Sequence, residues 1–185
     1  MAYIDSIKYS EAKGRLKEIY DDVIEKRGKL ASVHMVQGLN PESIVHHMDL
    51  YLELIYGRSP LKRYQREMIA VVVSKTNDCD YCIRHHSEAL NHFWKDEERI
   101  IRLAQNYEQA ELSEIDLALC ELSVDLTDDP GKDKKKHTDN LKALGLDDRA
   151  VLDAVLIIGY FNFVNRLVLG LGVHLEEDGG KGYEY

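Results

Sequence analysis

The sequence predicts an all-α protein built as a helical bundle. In nearly every segment of the 185-residue chain, apolar residues recur three and four positions apart, which is the period of a helix with one buried face. Capping residues precede these segments and glycines follow several of them, as at helix ends. No segment keeps the alternation of apolar and polar residues that is typical of a half-buried strand. We therefore expect helices joined by short connections.

The composition excludes several functional classes. The formal net charge is −9 and no basic face stands out, so nucleic acid and anionic membrane surfaces are not expected partners. The N-terminus lacks the pattern of a signal peptide, and we expect no apolar run to reach the roughly 20 residues that span a bilayer. We expect a cytoplasmic protein without a cofactor, with one helical domain over residues 1–177 and a frayed tail over 178–185.

The first part of the chain predicts two helices, over residues 11–26 and 41–55, and a short apolar piece between them, over residues 32–39. Ser10 is a suitable cap for the first helix, and Gly28 follows its end. Asn40 and Pro41 form a cap and first-turn pair for the second.

The next helix carries Glu67 and is the predicted centre of the core. Ser59 and Pro60 repeat the cap-plus-proline signal. From Met68 to Val73 the segment is apolar on every side, which indicates central burial. Its β-branched residues also permit a strand, but the element is too long for a typical strand, so we predict a helix.

The second part of the chain predicts five helices, over about residues 79–93, 96–104, 113–126, 134–144 and 151–169. Asp78 can cap the first of these and Asp147 the last. The apolar segment from Ala154 to Phe161 is a second candidate for the buried centre. Residues 61–74 and 146–159 have similar layouts, which allows two related helical halves.

The cysteines indicate redox or metal chemistry. The chain has three cysteines, a small and odd number that argues against a secreted disulfide framework. Cys79 and Cys82 form a C-x-x-C pair, which in a reducing compartment indicates a catalytic or metal-binding role. Cys120 lies in an apolar helical stripe, where we expect a buried inert thiol.

Helix geometry predicts how an acid, the thiols and a histidine meet. We assume that the Glu67 and Cys79 helices pack antiparallel. At about 1.5 Å per residue, Glu67 lies roughly 13 Å before the turn and His86 roughly 10 Å beyond it, so the two are level. Cys82 and His86 are four residues apart and share one helix face. The spacing thus predicts a relay of Glu67, His86 and Cys82.

Each member of this relay has a chemical role. The thiolate is the reactive form of cysteine, and a histidine one turn away can accept its proton. We expect burial to raise the pKa of Glu67 enough for it to shuttle protons. The positive end of the second helix favours a thiolate, most strongly at Cys79. We predict that Cys82 attacks an oxidant and that Cys79, exposed at the turn, resolves the sulfenic acid to a disulfide.

The spacing Glu67, eleven residues, Cys79-Asp-Tyr-Cys82, three residues, His86 resembles the signature of the alkylhydroperoxidase D-like (AhpD-like) family of the carboxymuconolactone decarboxylase superfamily. Residues 59–67 and 159–166 also resemble its peroxidase-related branch. The resemblance implies an all-helical homo-oligomer, a trimer or hexamer, that reduces hydroperoxides with the two cysteines. It also implies a Glu67–His86 proton relay.

One position departs from this family pattern. The better-known relatives keep a histidine immediately before the second cysteine, where this chain has Tyr81. His85 could substitute for it in the relay or the pocket. Those relatives are recharged by a lipoyl-bearing protein, so the reductant expected here is a dithiol or lipoyl-type partner.

Other functions remain open from the sequence. Cys79, Cys82, His85 and His86 could bind zinc, although one short helix gives poor tetrahedral geometry. Further alternatives are a disulfide oxidoreductase of another substrate, decarboxylase or lactone chemistry as in other superfamily members, and an oligomeric binding protein without enzymatic activity.

Several single residues have structural interpretations as well. Glu67 could simply pair with Arg63 or Arg66. Asn162 and Asn165 could line a pocket, line an oligomer interface, or serve packing alone. The remaining histidines have no partner pattern and are expected in the core or at the surface: His34, His46, His47, His92, His137 and His174.

Overall fold

The computed structural model describes residues 2–183, which form nine α-helices and contain no strand. This confirms the predicted all-α class. The helices are α1 (Gly14–Arg27), α2 (Ser32–Gln37), α3 (Pro41–Tyr56), α4 (Arg63–Thr76), α5 (Asp80–Trp94), α6 (Glu97–Gln105), α7 (Glu114–Asp128), α8 (Lys135–Ala143) and α9 (Asp148–Leu171). Two short 3-10 turns are Tyr9–Glu11 and Tyr107–Gln109.

Helix α4 is the centre of the bundle. It packs against α5, α7 and α9, and every residue from Gln65 to Ser74 is buried. This confirms both the helical prediction for the valine run and its central position. A smaller apolar cluster joins α1 to α3 through Leu16, Ile19, Tyr20, Val23, Ile44 and Met48.

The predicted start of α4 at Ser59 is wrong. The helix begins at Arg63, after an extended Lys62. The Ser59 hydroxyl instead donates to the Asp153 carboxylate of α9, at 2.5 Å, and accepts from the Leu61 backbone N–H. A tertiary hydrogen bond therefore replaces the local cap that the sequence suggested.

The predicted start of α1 at Glu11 is also wrong. The Glu11 carboxylate accepts from the Lys8 backbone N–H, and this contact closes a separate 3-10 turn. Gly14 has φ +52°, a left-handed conformation that interrupts a right-handed helix at that point. The end at Gly28, with φ +79°, is as predicted.

Side-chain acceptors cap three helices, and the cap predicted at Asp147 is among them. Asp96 accepts from the Arg99 backbone N–H at the start of α6. Ser113 and Asp147 do the same for the third residue of α7 and of α9. These side chains satisfy backbone donors that would otherwise lack partners.

Helix α9 buries one face and exposes the other. The segment from Ala154 to Phe161 was expected to be fully buried, but only part of it is. Its exposed face carries five large apolar residues: Leu152, Val155, Leu156, Phe163 and Leu169. By length and composition α9 could cross a membrane, with a mean hydropathy of 1.7 in the window tested. The expectation that no segment reaches this length is therefore wrong. A core helix meets the same criterion, and 44% of that window is buried.

The described part of the tail contacts the body of the protein. Lys29 pairs with the Asp178 carboxylate at 2.5 Å and donates to the Lys181 carbonyl at 2.8 Å. The expectation of fraying also covered Glu184 and Tyr185, which lie outside the described residues.

Candidate active site

The turn between α4 and α5 sets the position of the cysteines. The backbone N–H of Cys79 donates to the Ser74 carbonyl and that of Asp78 to the Lys75 carbonyl, the bond pattern of a Schellman end. Asp78 takes the left-handed position with φ +52°, so it does not cap α5 as expected. Cys79 occupies the cap position instead.

Both site cysteines are buried and reduced, and their sulfurs lie 3.1 Å apart. Cys79 is 0% exposed and Cys82 is 2% exposed. The prediction that Cys79 is accessible at the turn is therefore wrong, because the Schellman end folds it inward. A disulfide requires the sulfurs to approach to about 2.05 Å, so the two sulfurs are near each other but not covalently bonded.

The two sulfurs share one hydrogen bond, and this couples their ionisation. The bond from Cys82 lowers the pKa of the Cys79 thiol, against the opposing effect of burial. The same bond and burial raise the pKa of Cys82 well above its usual value. The first thiolate of the pair therefore resides mainly on Cys79, at the N-terminus of α5, where the helix dipole also favours negative charge.

A cavity of about 90 Å³ reaches Cys82. Cys82 and His86 line it, whereas Cys79 does not. Aromatic side chains form much of the remaining wall: Tyr51, Tyr81, Tyr160, Phe161 and Tyr183. A molecule that enters the cavity thus meets the second cysteine of the pair.

The structure brings Glu67 and His86 together, at the level that the helix rise predicted. His86 Nδ1 lies 2.6 Å from Glu67 Oε2. The other oxygen of Glu67 accepts from the Arg63 guanidinium. Glu67 therefore also forms an ion pair with Arg63, one of the two arginines considered from the sequence. Arg66 instead donates to main-chain carbonyls, including those of Leu61 and Ile55.

The charge state of Glu67 differs from the expectation. Glu67 is 0% exposed, and burial alone would raise the pKa of its carboxyl. His86 and Arg63 outweigh burial, and the net pKa is lowered. Glu67 is therefore an ionised acceptor for His86 Nδ1–H, which leaves Nε2 as the ring nitrogen that can exchange a proton.

The relay is not continuous in this state. Among residues 2–183, no hydrogen bond joins His86 to Cys82, although both line the cavity. A hydrogen bond from Asn165 favours the thiolate of Cys82 and partly offsets its raised pKa. Asn165 is also bonded to Ser74 and Asn77, so it connects α9 to the cysteine turn.

Asn162 belongs to the same amide cluster. It accepts from Asn77 through its Oδ1 and donates to the Thr127 hydroxyl. These contacts are internal to one chain and support a packing role for Asn162.

Tyr81 and His85 point to a carboxylate that the sequence analysis missed. The Tyr81 hydroxyl donates to Glu176 Oε1 at 2.8 Å, and His85 Nε2 lies 2.8 Å from Glu176 Oε2. Burial, followed by Glu176, raises the pKa of Tyr81 well above its usual value, so its hydroxyl stays protonated. The residue in the place of the family histidine is thus engaged with the segment after α9 and, within the described chain, makes no hydrogen bond to either thiol.

Two further histidines, expected in the core or at the surface, are buried in the cavity wall. His47 bonds Gln37 Oε1 at 2.7 Å and the Tyr160 hydroxyl at 2.6 Å. Burial lowers the pKa of His47 to about 4 and that of His34 to about 3. Both rings are neutral at physiological pH, so they line the cavity without adding charge.

The geometry does not support the zinc alternative. His85 is hydrogen-bonded to Glu176 and His86 to Glu67, so the two rings have different carboxylate partners. In the described part of the chain no three His, Cys, Asp or Glu side chains converge as metal ligands would. Cys120 is buried in α7, and burial raises its pKa, as expected for an inert thiol.

Solved structures with this arrangement of helices define its fold class. A peroxidase-related protein from Silicibacter sp. TM1040 superposes with a TM-score of 0.88 at 24% identity, over 97% of this chain and 94% of that chain. The alkylhydroperoxidase AhpD core, a peroxidase-related protein from Ralstonia eutropha JMP134, gives 0.87 at 19% identity, with the same coverage of each chain. The fold is thus the AhpD-like helical fold.

Sequence comparison assigns the family. Residues 44–113 match the carboxymuconolactone decarboxylase family. The uncharacterized protein YdfG of Bacillus subtilis (strain 168) is 30% identical over 132 residues, which is 71% of this chain and 88% of YdfG. The chain belongs to the carboxymuconolactone decarboxylase family, as the spacing of Glu67, the cysteines and His86 suggested.

Proposed function

We propose that this protein is a thiol-dependent peroxidase that reduces hydroperoxides with the Cys79–Cys82 pair. The supporting observation is the 3.1 Å contact between the sulfurs at the end of a cavity that Cys82 lines and Cys79 does not. His86, which is hydrogen-bonded to Glu67, lines the same cavity. A dithiol, a base and an entry path for a small molecule are the parts that such a reaction needs.

The first step oxidises Cys82. Transfer of its proton to the Cys79 thiolate, along the short sulfur–sulfur contact, gives a Cys82 thiolate facing the cavity. This thiolate attacks the terminal oxygen of the hydroperoxide, the O–O bond breaks, and Cys82 becomes a sulfenic acid. His86, which takes up a proton when the thiol pair first ionises, returns it to the leaving alkoxide to give an alcohol, while Glu67 orients the ring.

The second step closes the disulfide. The Cys79 sulfur attacks the Cys82 sulfur, the S–O bond breaks, and the departing hydroxide takes the Cys79 proton and leaves as water. The net reaction converts two thiols and one hydroperoxide into a disulfide, an alcohol and water. An external dithiol or lipoyl-type reductant must then exchange with the disulfide. We infer a cytoplasmic location, because recharging needs a reducing compartment.

The proposal predicts dithiol-dependent turnover. Reduced protein with excess dithiothreitol should consume cumene hydroperoxide in repeated cycles, measured as loss of peroxide over time. A Cys120→Ser variant should keep the parent rate, because Cys120 lies in the buried face of α7. Consumption no faster than dithiothreitol alone would favour a binding protein without enzymatic activity.

We also propose that the protein is a homo-oligomer that buries the exposed face of α9. Gly159 lies within that face, and a side chain built there would meet no neighbouring atom, so another helix could approach closely. Contiguous exposed apolar residues on one helix are typical of subunit contacts.

This proposal predicts the effect of a charge on that face. Leu156→Asp should weaken self-association at least about a hundredfold, because a carboxylate would be buried without a partner. Leu39→Asp is the matched control, since Leu39 is an exposed leucine that does not belong to α9. Sedimentation equilibrium measures both. A monomeric parent, or an unchanged Leu156→Asp oligomer, would contradict the proposal.

A further inference from the structure

Glu176 joins three parts of the chain at the edge of the cavity. Its carboxylate accepts from the Tyr81 hydroxyl at 2.8 Å, lies 2.8 Å from His85 Nε2, and accepts from the Ser32 backbone N–H at 2.6 Å. Tyr81 and His85 belong to α5, the helix of the cysteine pair, and Ser32 begins α2. The side chain of Glu176 is only 12% exposed. One carboxylate therefore connects the segment after α9 to both α5 and α2.

Beyond Glu176 the chain continues across the cavity edge. Lys29 holds Asp178 and the Lys181 carbonyl. The backbone at Gly180 lies against the His85 ring, so close that an added Cβ would lie 3.0 Å from its Cδ2. Tyr183 then packs 5.2 Å from His85 between ring centroids and lines the cavity. The segment thus supplies one wall of the path to Cys82.

We propose that Glu176 is a specificity-determining residue that positions residues 176–183 as the outer wall of the cavity and so limits the size of molecules that reach Cys82. The three contacts hold the carboxylate, Gly180 leaves room for His85, and Tyr183 narrows the opening. Small hydroperoxides pass this wall more readily than bulky ones. Release of Glu176 frees Tyr183 to move away and admits larger molecules.

The local charges fit a fixed anion at this point. Burial alone would raise the pKa of Glu176, but the hydrogen bonds from His85 and from the Ser32 backbone outweigh it and lower the pKa overall. Glu176 is therefore ionised at neutral pH. Hydrogen bonds to a charged group stabilise a contact more than those between neutral groups, so the ionised carboxylate is suited to holding residues 176–183 in place.

The inference builds on the proposed role of Cys82 as the thiol that meets the substrate, but alkylation tests it without peroxidase activity. Reduced full-length protein is treated with N-methylmaleimide or the bulkier N-pyrenylmaleimide, and the Cys82 adduct is quantified by peptide mass spectrometry. The measured quantity is the rate of Cys82 alkylation by the bulky reagent divided by the rate with the small reagent. A change in intrinsic thiol reactivity moves both rates equally and leaves the ratio unchanged.

Glu176→Ala should raise this ratio about tenfold. The loss of hydrogen bonds to a charged group shifts the equilibrium between the closed and open positions of residues 176–183 by about that factor. Tyr183→Ala should also raise the ratio, in a chain that keeps Glu176. This variant therefore tests the proposal if Glu176→Ala fails to fold. Glu177→Ala, at an exposed neighbouring glutamate, should leave the ratio at the parent value. An unchanged ratio in a folded Glu176→Ala variant, or in Tyr183→Ala if Glu176→Ala does not fold, would overturn the proposal, whatever the outcome for peroxidase turnover.

Discussion

Cys82→Ser should lower the rate of hydroperoxide reduction by at least about a thousandfold, because the substitution removes the nucleophile itself. Cys82 is the cysteine that lines the cavity, and the 0% exposed Cys79 lies behind it. Stopped-flow measurement of peroxide loss in a single turnover gives this rate directly.

The partner variant separates attack from resolution. Cys79→Ser should still reduce one equivalent of hydroperoxide and should accumulate a Cys82 sulfenic acid that dimedone traps. Without the second sulfur it cannot form the internal disulfide. If Cys82→Ser reacted like the parent while Cys79→Ser was inert, the order of attack would be the reverse of the one proposed.

Glu67→Gln should slow the reaction by about 10²–10⁴, because His86 loses the carboxylate that orients it as a proton carrier. It should also destabilise the fold by about 3–5 kcal/mol, since removing the carboxylate leaves the partly buried Arg63 guanidinium without its ion-pair partner. Turnover with cumene hydroperoxide measures the first effect, and urea unfolding measures the second. Glu177→Gln is the control, and a change of no more than about 0.5 kcal/mol is expected at that exposed site.

The stability effect of Glu67 has a defined pH dependence. Its pKa is lowered in the folded protein from the ordinary value of 4.5, so the unfolded chain binds its proton more readily. Its contribution is therefore present above that value and is lost as the pH falls through the native pKa. The difference in unfolding free energy between parent and Glu67→Gln should narrow in acid. A rate and stability equal to those of the parent at neutral pH would show that Glu67 has neither role.

The sequence predicts the central helix pair because two strong signals agree. Full apolarity over residues 68–73 can be satisfied only by burial on all sides, and α4 is buried accordingly. The rise of a helix then fixes the height of His86 relative to Glu67, which the 2.6 Å contact reproduces. The second inference also depends on the packing of α4 against α5, which the short turn between these two helices favours.

The missed features depend on contacts between distant parts of the chain. Glu176 lies 95 positions from Tyr81 and 91 from His85, and nothing near it in the sequence marks it as part of a site. Ser59 has the residue type of a cap, but Asp153 offers its hydroxyl a tertiary acceptor. The inward position of Cys79 follows from the left-handed Asp78, a conformation that sequence signals favour only weakly outside glycine.

Oxidation of the reduced protein by one equivalent of an organic hydroperoxide tests the central claim most directly. Peptide mapping by mass spectrometry, after the remaining thiols are blocked, identifies which cysteines have reacted. We predict a Cys79–Cys82 disulfide in step with peroxide loss, with Cys120 recovered as a free thiol. Recovery of Cys79 and Cys82 as free thiols, with the hydroperoxide unconsumed, would contradict the account.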